Sequence, residues 1–271
     1  MIQTLQGDAA LTAPRLSLYG VHDALAAAGI TIDGFRHPIT FFDTETTDLN
    51  CREDDIIEFA ALRFEPNEQG TVWTLSRIAH QYFTPKVEIG VDAAEVHGIT
   101  NEIMAVMTAD GRAVKMNKGH LNYIGSMFAT SLIVAHNIRF DMGFLESAFR
   151  RARMTLSGYI AQIDTVNYGK LRFPRNKVNL DALCRALKVS NKARADYHGA
   201  LVDTEILSRV FEKLVNPPPE NDLFAPLEKV DVVEEEKRFR PARNLVKLSE
   251  QQKEAYAAFR VSCGLEGAVP F

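Results

Sequence analysis

The stretch that organises this chain is ITFFDTETTDLN, residues 39–50. Its apolar run predicts a buried β-strand. Side chains two positions apart share one face of a strand, so Asp43 and Glu45 would lie together at the strand end. Two adjacent carboxylates repel each other, and at neutral pH they either share a proton or bind a cation. The pair alone is weak evidence for a site, because a strand end with two solvated acids is the ordinary alternative.

The composition is that of a globular protein. The 271 residues are 46% hydrophobic and 24% charged, which suits one large domain with extensions or two small domains. The net charge of −4 excludes a uniformly basic protein but allows a local basic groove. The three cysteines are far apart, and neither an export signal nor a membrane-spanning apolar run is seen. We therefore expect a cytoplasmic protein with no membrane segment.

The order of the predicted elements indicates an α/β domain with a mixed sheet, because three strands are followed by alternating strands and helices. Turn chemistry at residues 67–70 joins the second and third strands into an antiparallel hairpin. The predicted strands are residues 39–45, 55–66, 72–85, 131–137 and 159–165. The predicted helices are residues 100–107, 119–130, 138–153, a segment within 170–189, and 197–215.

Two extensions flank this domain. An amphipathic stretch at Leu16–Ala28 predicts an N-terminal helical arm over residues 1–36, which packs against the outside of the domain or binds a partner. The domain itself would span residues 37–216. The prolines at 217–219 end its pattern, and residues 217–271 are predicted to be a proline-led linker with a helical C-terminal extension.

Further polar residues stand at the ends of predicted elements. Asp141 opens a helix after a strand, while His198 and Asp203 lie at the start of a later helix. Each has an ordinary explanation, since Asp141 could be a helix N-cap and His198 a solvated loop residue. Their joint arrival at element ends favours a shared site with Asp43 and Glu45.

Three segments resemble, in order, the motifs of the DEDDh, or DnaQ-like, 3′-5′ exonuclease family, which includes the proofreading subunit of bacterial DNA polymerase III. They are Asp43-Thr-Glu45, His136-Asn137-x-x-Phe140-Asp141 and His198-x-Ala200-x-x-Asp203. VHGIT at 96–100 and NLDALC at 179–184 resemble further family segments. The resemblance implies a ribonuclease H-like fold, in which a mixed five-stranded sheet with one antiparallel strand is flanked by helices.

The resemblance also implies the chemistry. Asp43, Glu45, Asp141 and Asp203 would bind two divalent cations, and all-carboxylate ligands favour Mg²⁺ or Mn²⁺. By analogy Asp43 bridges both ions, Glu45 and Asp203 complete the water-activating site, and Asp141 supports the other ion. His198 would be the general base, which makes it the fifth catalytic residue.

Substrate contacts are also implied by the resemblance. Thr46, Thr47 and Leu49 lie in the segment that meets the terminal nucleotide in the family. His97 corresponds to a residue near the terminal sugar or base, or is a turn residue bonded to the backbone. Asn137 either contacts substrate or holds the motif loop. Basic residues between the second and third motifs either attract phosphate or are ordinary surface charge: Lys170, Arg172, Arg175, Lys177, Lys192 and Arg194.

The expected function is metal-dependent 3′-5′ hydrolysis of single-stranded or frayed DNA to nucleoside 5′-monophosphates, in proofreading or repair. A 3′-5′ exoribonuclease is one alternative, and a non-catalytic replication subunit that uses the fold for binding is another. The expected partners are single-stranded DNA or frayed 3′ ends, with RNA as the alternative. A polymerase or a sliding clamp would be reached through the C-terminal extension, where residues 220–224 loosely resemble a clamp-binding peptide.

Overall fold

The computed structural model describes residues 3–4, 14–30, 35–194 and 198–216. Contacts divide the chain after Leu223, so every described residue lies in the first of two units. The strands are β1 (Gln3–Thr4), β2 (Arg15–Ser17), β3 (Ile39–Thr46), β4 (Ile56–Pro66), β5 (Val72–Phe83), β6 (Ala113–Val114), β7 (Leu132–Ala135) and β8 (Ala161–Asp164). The helices are α1 (Val21–Ala27), α2 (Val91–His97), α3 (Asn101–Ala109), α4 (Lys118–Phe128), α5 (Ile138–Arg151), α6 (Thr165–Arg172), α7 (Leu180–Leu187) and α8 (Ala200–Val215), with a 3₁₀ turn at Lys192–Arg194.

The sheet is mixed and has five principal strands in the order β5-β4-β3-β7-β8. Strand β3 is parallel to β7, and β7 is parallel to β8. Strand β4 runs antiparallel to both of its neighbours, β3 and β5. The prediction of five strands with one antiparallel strand is therefore correct for this central part of the sheet. Within the described residues the sheet has eight strands, because the short β1, β2 and β6 also pair with β5.

Apolar side chains cover both faces of the sheet, which places β3 at the centre of the core. Phe41 faces α8, where its ring lies 5.5 Å from that of Phe211. Phe42 points to the other face and lies 4.7 Å from the ring of Phe128 on α4. Successive side chains of a strand alternate between faces, so this Phe-Phe pair ties β3 to both helical layers.

The hairpin between β4 and β5 forms as predicted. The Asn67 side chain accepts hydrogen bonds from the backbone N–H groups of Thr71 and Val72. Gly70 has a φ of +65°, a left-handed conformation that glycine adopts without strain. Side-chain capping by asparagine and a glycine with positive φ are typical of such turns.

The N-terminal segment differs from the prediction of one helix over Leu16–Ala28. Residues Arg15–Ser17 form β2, which pairs antiparallel with β5, and the helix α1 begins only at Val21. Leu16 and Leu18 are both fully buried, with a half-buried serine between them, so this stretch follows the two-residue period of a strand. The backbone N–H of Ser17 also donates to Oε1 of Glu212 on α8 at 2.7 Å. The described part of the arm is thus packed into the core.

The extension beyond residue 216, including the predicted linker, terminal helix and clamp-like segment, lies outside the described residues. None of the helices in the described part of the chain combines the length and the apolar character that crossing a bilayer requires.

Candidate active site

Strand β3 delivers the two acids of the first motif to one face of the sheet. Asp43 and Glu45 are opposite Ala60 and Glu58 of β4, and the pairing shifts after Glu45. A register shift at this point ends the regular ladder and directs the following loop away from the sheet. Both acidic side chains are half-buried, while the three residues from Thr40 to Phe42 are fully buried. The strand therefore changes from core to polar site within three positions.

Helix α8 delivers Asp203 to the same place. Asp203 lies in the first turn of the helix and is buried, and the Phe41–Phe211 contact fixes the helix against β3. Carboxylate oxygens of Asp43, Glu45 and Asp203 all lie within 4.8 Å of one another. His198 comes just before Gly199, the N-cap residue of the helix. Asp43, Glu45 and Asp203 together are called the three-acid cluster.

Helix α5 delivers the fourth acid. Asn137 adopts a left-handed conformation after β7, with a φ of 68°, and the helix begins at the next residue. This places Asp141 in the first helical turn, where it is buried. Its Oδ1 accepts hydrogen bonds from the backbone N–H of Thr44 at 3.0 Å and from the Thr44 hydroxyl at 2.7 Å. Because Thr44 stands between Asp43 and Glu45, Asp141 is fixed beside the three-acid cluster.

Burial and mutual repulsion make the acids weaker than usual. Burial, followed by the negative charge of Asp141, raises the pKa of Asp43 well above its ordinary value. Burial, followed by the charge of Glu58, does the same for the pKa of Glu45. Burial raises the pKa of Asp141 from 3.8 to about 7, even though the hydrogen bonds from Thr44 lower it. Such shifts mean that the charged form of these acids is disfavoured, first by burial and then by the neighbouring negative charges.

The donor set fits a divalent cation. Oxygen atoms of three carboxylates lie within 4.8 Å of one another, close enough to bind the same ion, and oxygen ligands of this kind select hard cations. A bound cation would also offset the repulsion that raises the pKa values of Asp43 and Glu45. A cluster of acidic residues is therefore present, and it contains three of the four acids that the sequence predicts as ligands.

Arg194, one of the basic residues expected either to attract phosphate or to be ordinary surface charge, lies next to this cluster. Nε of Arg194 donates to Oδ1 of Asp203 at 2.6 Å, and its Nη1 donates to Oδ1 of Asp181 at 2.7 Å. Burial raises the pKa of Asp203, and the bond from Arg194 opposes that shift. The sequence gives only a faint signal for the pairing of Arg194 with Asp203 and Asp181. The signal consists of an arginine before the third motif and an aspartate in the first turn of α7.

Glu58 is a second neighbour that sequence reasoning missed. It is fully buried on β4, where its Oε1 lies 2.7 Å from Nε2 of His80 on β5. A buried carboxylate of this kind needs a partner, and His80 supplies one. The cross-strand position opposite Glu45 explains why Glu58 influences the pKa of that residue.

Two of the predicted substrate residues have hydroxyl groups that brace the loop after β3. The Thr46 hydroxyl donates to the carbonyl of Asp48 at 2.7 Å. The Thr47 hydroxyl donates to Asp54 and accepts from the backbone N–H of Asp55. Leu49 is different, because 78% of its surface is exposed. The loop therefore presents Leu49 to solvent on a braced backbone.

His97 and Asn137 have structural partners. His97 is buried, its Nε2 lies 3.3 Å from the carbonyl of Thr46, and its Nδ1 accepts from the backbone N–H of Ile99. This pattern supports the alternative that His97 is a turn residue bonded to the backbone. The backbone N–H of Asn137 donates to Asp164, and asparagine tolerates the left-handed conformation found there. A loop-holding role of Asn137 explains these features.

Comparison with known proteins agrees with this geometry. The family profile described as Exonuclease matches residues 40–211, which contain all four acids and His198. The chain belongs to the exonuclease family. The DNA polymerase III subunit epsilon of Rickettsia felis is 33% identical over 180 residues, which cover 64% of this chain and 71% of that protein. The subunit of the same name from Buchnera aphidicola subsp. Schizaphis graminum is 31% identical over 182 residues, which cover 64% and 72%.

A solved structure supports the fold of this exonuclease. Exonuclease I from Methylocaldum szegediense has a TM-score of 0.52 and 20% identity, over 69% of this chain and 42% of that chain. The chain thus spans less than half the length of that structure, and the likeness concerns the fold alone. The predictions of a DnaQ-like exonuclease and of a ribonuclease H-like α/β fold are confirmed.

Proposed function

We propose that this exonuclease removes nucleotides from the 3′ end of single-stranded or frayed DNA and releases nucleoside 5′-monophosphates. The observation that carries the proposal is the convergence of Asp43, Glu45 and Asp203 within 4.8 Å, with Asp141 fixed beside them through Thr44. A protein that used the fold only for binding would have no need to hold carboxylates together in a site where burial, and then their mutual repulsion, raises the pKa values of Asp43 and Glu45.

Asp43, Glu45, Asp141 and Asp203 would hold two Mg²⁺ or Mn²⁺ ions. When bound, these ions activate water and stabilise negative charge on a phosphodiester group. The protein contributes the fixed orientation of the ligands, because β3, α5 and α8 are joined by core packing rather than by loops. Metal binding requires ionised carboxylates, so the raised pKa values predict weaker binding at low pH.

His198 is proposed to be the general base. It lies near enough to Asp203 for a charged imidazole to lower the pKa of that acid, which burial raises. A histidine titrates near neutral pH, so it accepts a proton from the attacking water and later releases it to solvent. The start of α8 thus supplies both a ligand and a base, five residues apart in sequence.

Leu49 is proposed to contact the terminal nucleotide. It is exposed at the tip of a loop whose threonine hydroxyls are bonded internally. An apolar contact of this kind accepts every base, which suits an enzyme that must remove any terminal nucleotide. The named relatives are polymerase subunits, so we further propose that the protein works in the cytoplasm in proofreading or repair, with a polymerase or sliding clamp as partner.

The test is hydrolysis of oligonucleotides labelled at the 3′ or 5′ end, as DNA and as RNA, with Mn²⁺ or with chelator. We expect mononucleotides from the 3′ end of DNA, dependence on the cation, and loss of activity in Asp43→Asn. Asp110→Asn is the matched control, since Asp110 is exposed and pairs with Arg112 away from the site. Preferential degradation of RNA would assign the enzyme to RNA trimming, and undiminished activity of Asp43→Asn would refute the metal site.

A further inference from the structure

Arg194 is enclosed between two carboxylates, one of which belongs to the three-acid cluster. Its side chain is only 14% exposed, and its Nε and Nη1 atoms donate to Asp203 and Asp181 respectively. A guanidinium group is planar and rigid, so two bonds made by different nitrogens fix both its position and its direction. Arg194 therefore links α7 to α8 at the edge of the site.

The Asp181 end of this link is anchored. Asp181 lies in the first turn of α7, and the N-cap residue Asn179 accepts a hydrogen bond from the backbone N–H of Ala182. Oδ1 of Asp181 also accepts a bond from the side chain of Asn191 at 3.0 Å. The arginine is thus held from the side opposite Asp203 by a capped helix and a second side chain.

At the other end of this link, the Asp203 carboxylate lies close to two other acids. A carboxylate that lies next to Asp43 and Glu45 is repelled by both, and without a fixed partner it would rotate away. The bond from Nε to Oδ1 at 2.6 Å fixes the position of one oxygen and so restricts rotation of the Asp203 carboxylate. A bond that orients a ligand in this way is common around metal sites, where the partners of the ligands affect metal affinity nearly as strongly as the ligands do.

We propose that Arg194, anchored on Asp181, is a positioning residue that holds the Asp203 carboxylate in the orientation in which a divalent cation binds. The inference rests on the proposed function, because it assumes that the three-acid cluster binds a cation. It goes further by assigning a role to two residues outside the three exonuclease motifs. Arg194 acts through Asp203 and need not touch the substrate.

The test measures Mn²⁺ affinity by electron paramagnetic resonance on the full chain at pH 8, without nucleic acid. We expect Arg194→Gln and Asp181→Ala each to weaken Mn²⁺ binding by about 10- to 100-fold. Arg194→Lys keeps the charge but loses the rigid fork, so it should also bind more weakly than the unmodified protein. Arg185→Gln removes a charge from an exposed position of α7 and should leave the affinity unchanged.

A second readout separates positioning from a general structural defect. If Arg194 orients a ligand, hydrolysis by Arg194→Gln should require more Mn²⁺ but recover to within a few-fold of normal kcat when the ion is saturating. Melting in chelator checks folding, and Asp181→Ala carries the test if Arg194→Gln does not fold.

The outcomes are distinct. Mn²⁺ affinity in Arg194→Gln or Arg194→Lys equal to or tighter than that of the unmodified protein overturns the positioning role and leaves the proposed function standing. Failure of the unmodified protein to bind Mn²⁺ overturns the proposed function itself.

Discussion

Replacement of Asp141 by asparagine should make the protein more stable in chelator while it abolishes hydrolysis. Asp141 is buried, and its Oδ1 accepts both hydrogen bonds from Thr44, at 3.0 Å and 2.7 Å. An asparagine side chain has nearly the same shape, and its Oδ1 accepts the same two bonds. The substitution therefore removes the negative charge while it keeps the local contacts.

The size of the effect follows from the pKa of Asp141. Burial raises this pKa from 3.8 to about 7. At about 1.4 kcal/mol for each pH unit, a rise of this size in the pKa corresponds to about 4 kcal/mol of stability at a pH above 7. Because a stabilisation of 1 kcal/mol raises the Tm of a domain of this size by about 2–4 °C, a rise of at least several degrees is expected at pH 8.

The sign of the pH dependence is specific. The folded protein keeps the Asp141 proton at pH values where the unfolded chain has released it, so raising the pH from about 4 to above 7 destabilises the unmodified protein. The asparagine variant lacks this contribution. The difference in Tm between the two should therefore be smallest near pH 4 and widen up to about pH 8.

Differential scanning calorimetry in EDTA, at several pH values between 4.5 and 8.5, measures this difference. Glu146→Gln is the control, because it removes an exposed acid from the same helix. An asparagine variant that melts at or below the temperature of the unmodified protein at pH 8 would refute the reasoning. So would a Tm difference that stays constant across the pH range.

Two further predictions concern the base and the N-terminal arm. His198→Ala should keep the Mn²⁺ affinity and the melting temperature of the unmodified protein but lose about 10²–10⁴-fold in kcat. Single-turnover hydrolysis at saturating Mn²⁺ measures this loss. A kcat within tenfold of normal contradicts the general-base role. Deletion of residues 1–36 should sharply lower the Tm or prevent folding, because Leu16, Leu18 and Val21 are fully buried and each contributes about 1.5–3 kcal/mol. A stable, active protein of residues 37–271 would instead support the arm as a separate appendage.

The central strands and the long helices could be predicted because their burial follows a simple period. β3, β4 and β5 begin and end within about two residues of the predicted bounds, and α5 has the helical spacing of Phe144, Leu145 and Ala148. The acids could be predicted because they stand at the ends of these elements. Predicting the regular elements therefore also predicted where the acids of the site would lie.

Short elements were not predictable because their structure depends on tertiary contacts. Helix α2 has seven residues and buries only His97, so no apolar period marks it. Helix α6 contains Gly169, which lowers helix propensity. It is nevertheless capped by Asp164, and a Cβ at position 169 would approach Leu183 of α7 to 3.3 Å. Close packing against α7 thus explains a helix that local propensity does not favour.

The strand β2 was predicted as helix for a similar reason. Leucines at 16 and 18 suit either an amphipathic helix or a strand, and seven helical residues do follow at α1. The edge of β5 decides between these structures, because its backbone groups at Val72–Thr74 need partners and β2 supplies them. A partner so distant in sequence cannot be read from the local pattern.

The apolar core, rather than the acids, brings the site together. Asp203 lies two helical turns before Phe211, and the ring of Phe211 packs on Phe41, two residues before Asp43. Burial of such aromatic side chains stabilises the fold by several kcal/mol, which is enough to offset an unfavourable contribution as large as that from burying Asp141. The carboxylates are thus held close together by packing that needs no cation. A variant that weakens this packing should lose cation affinity even though every ligand is retained.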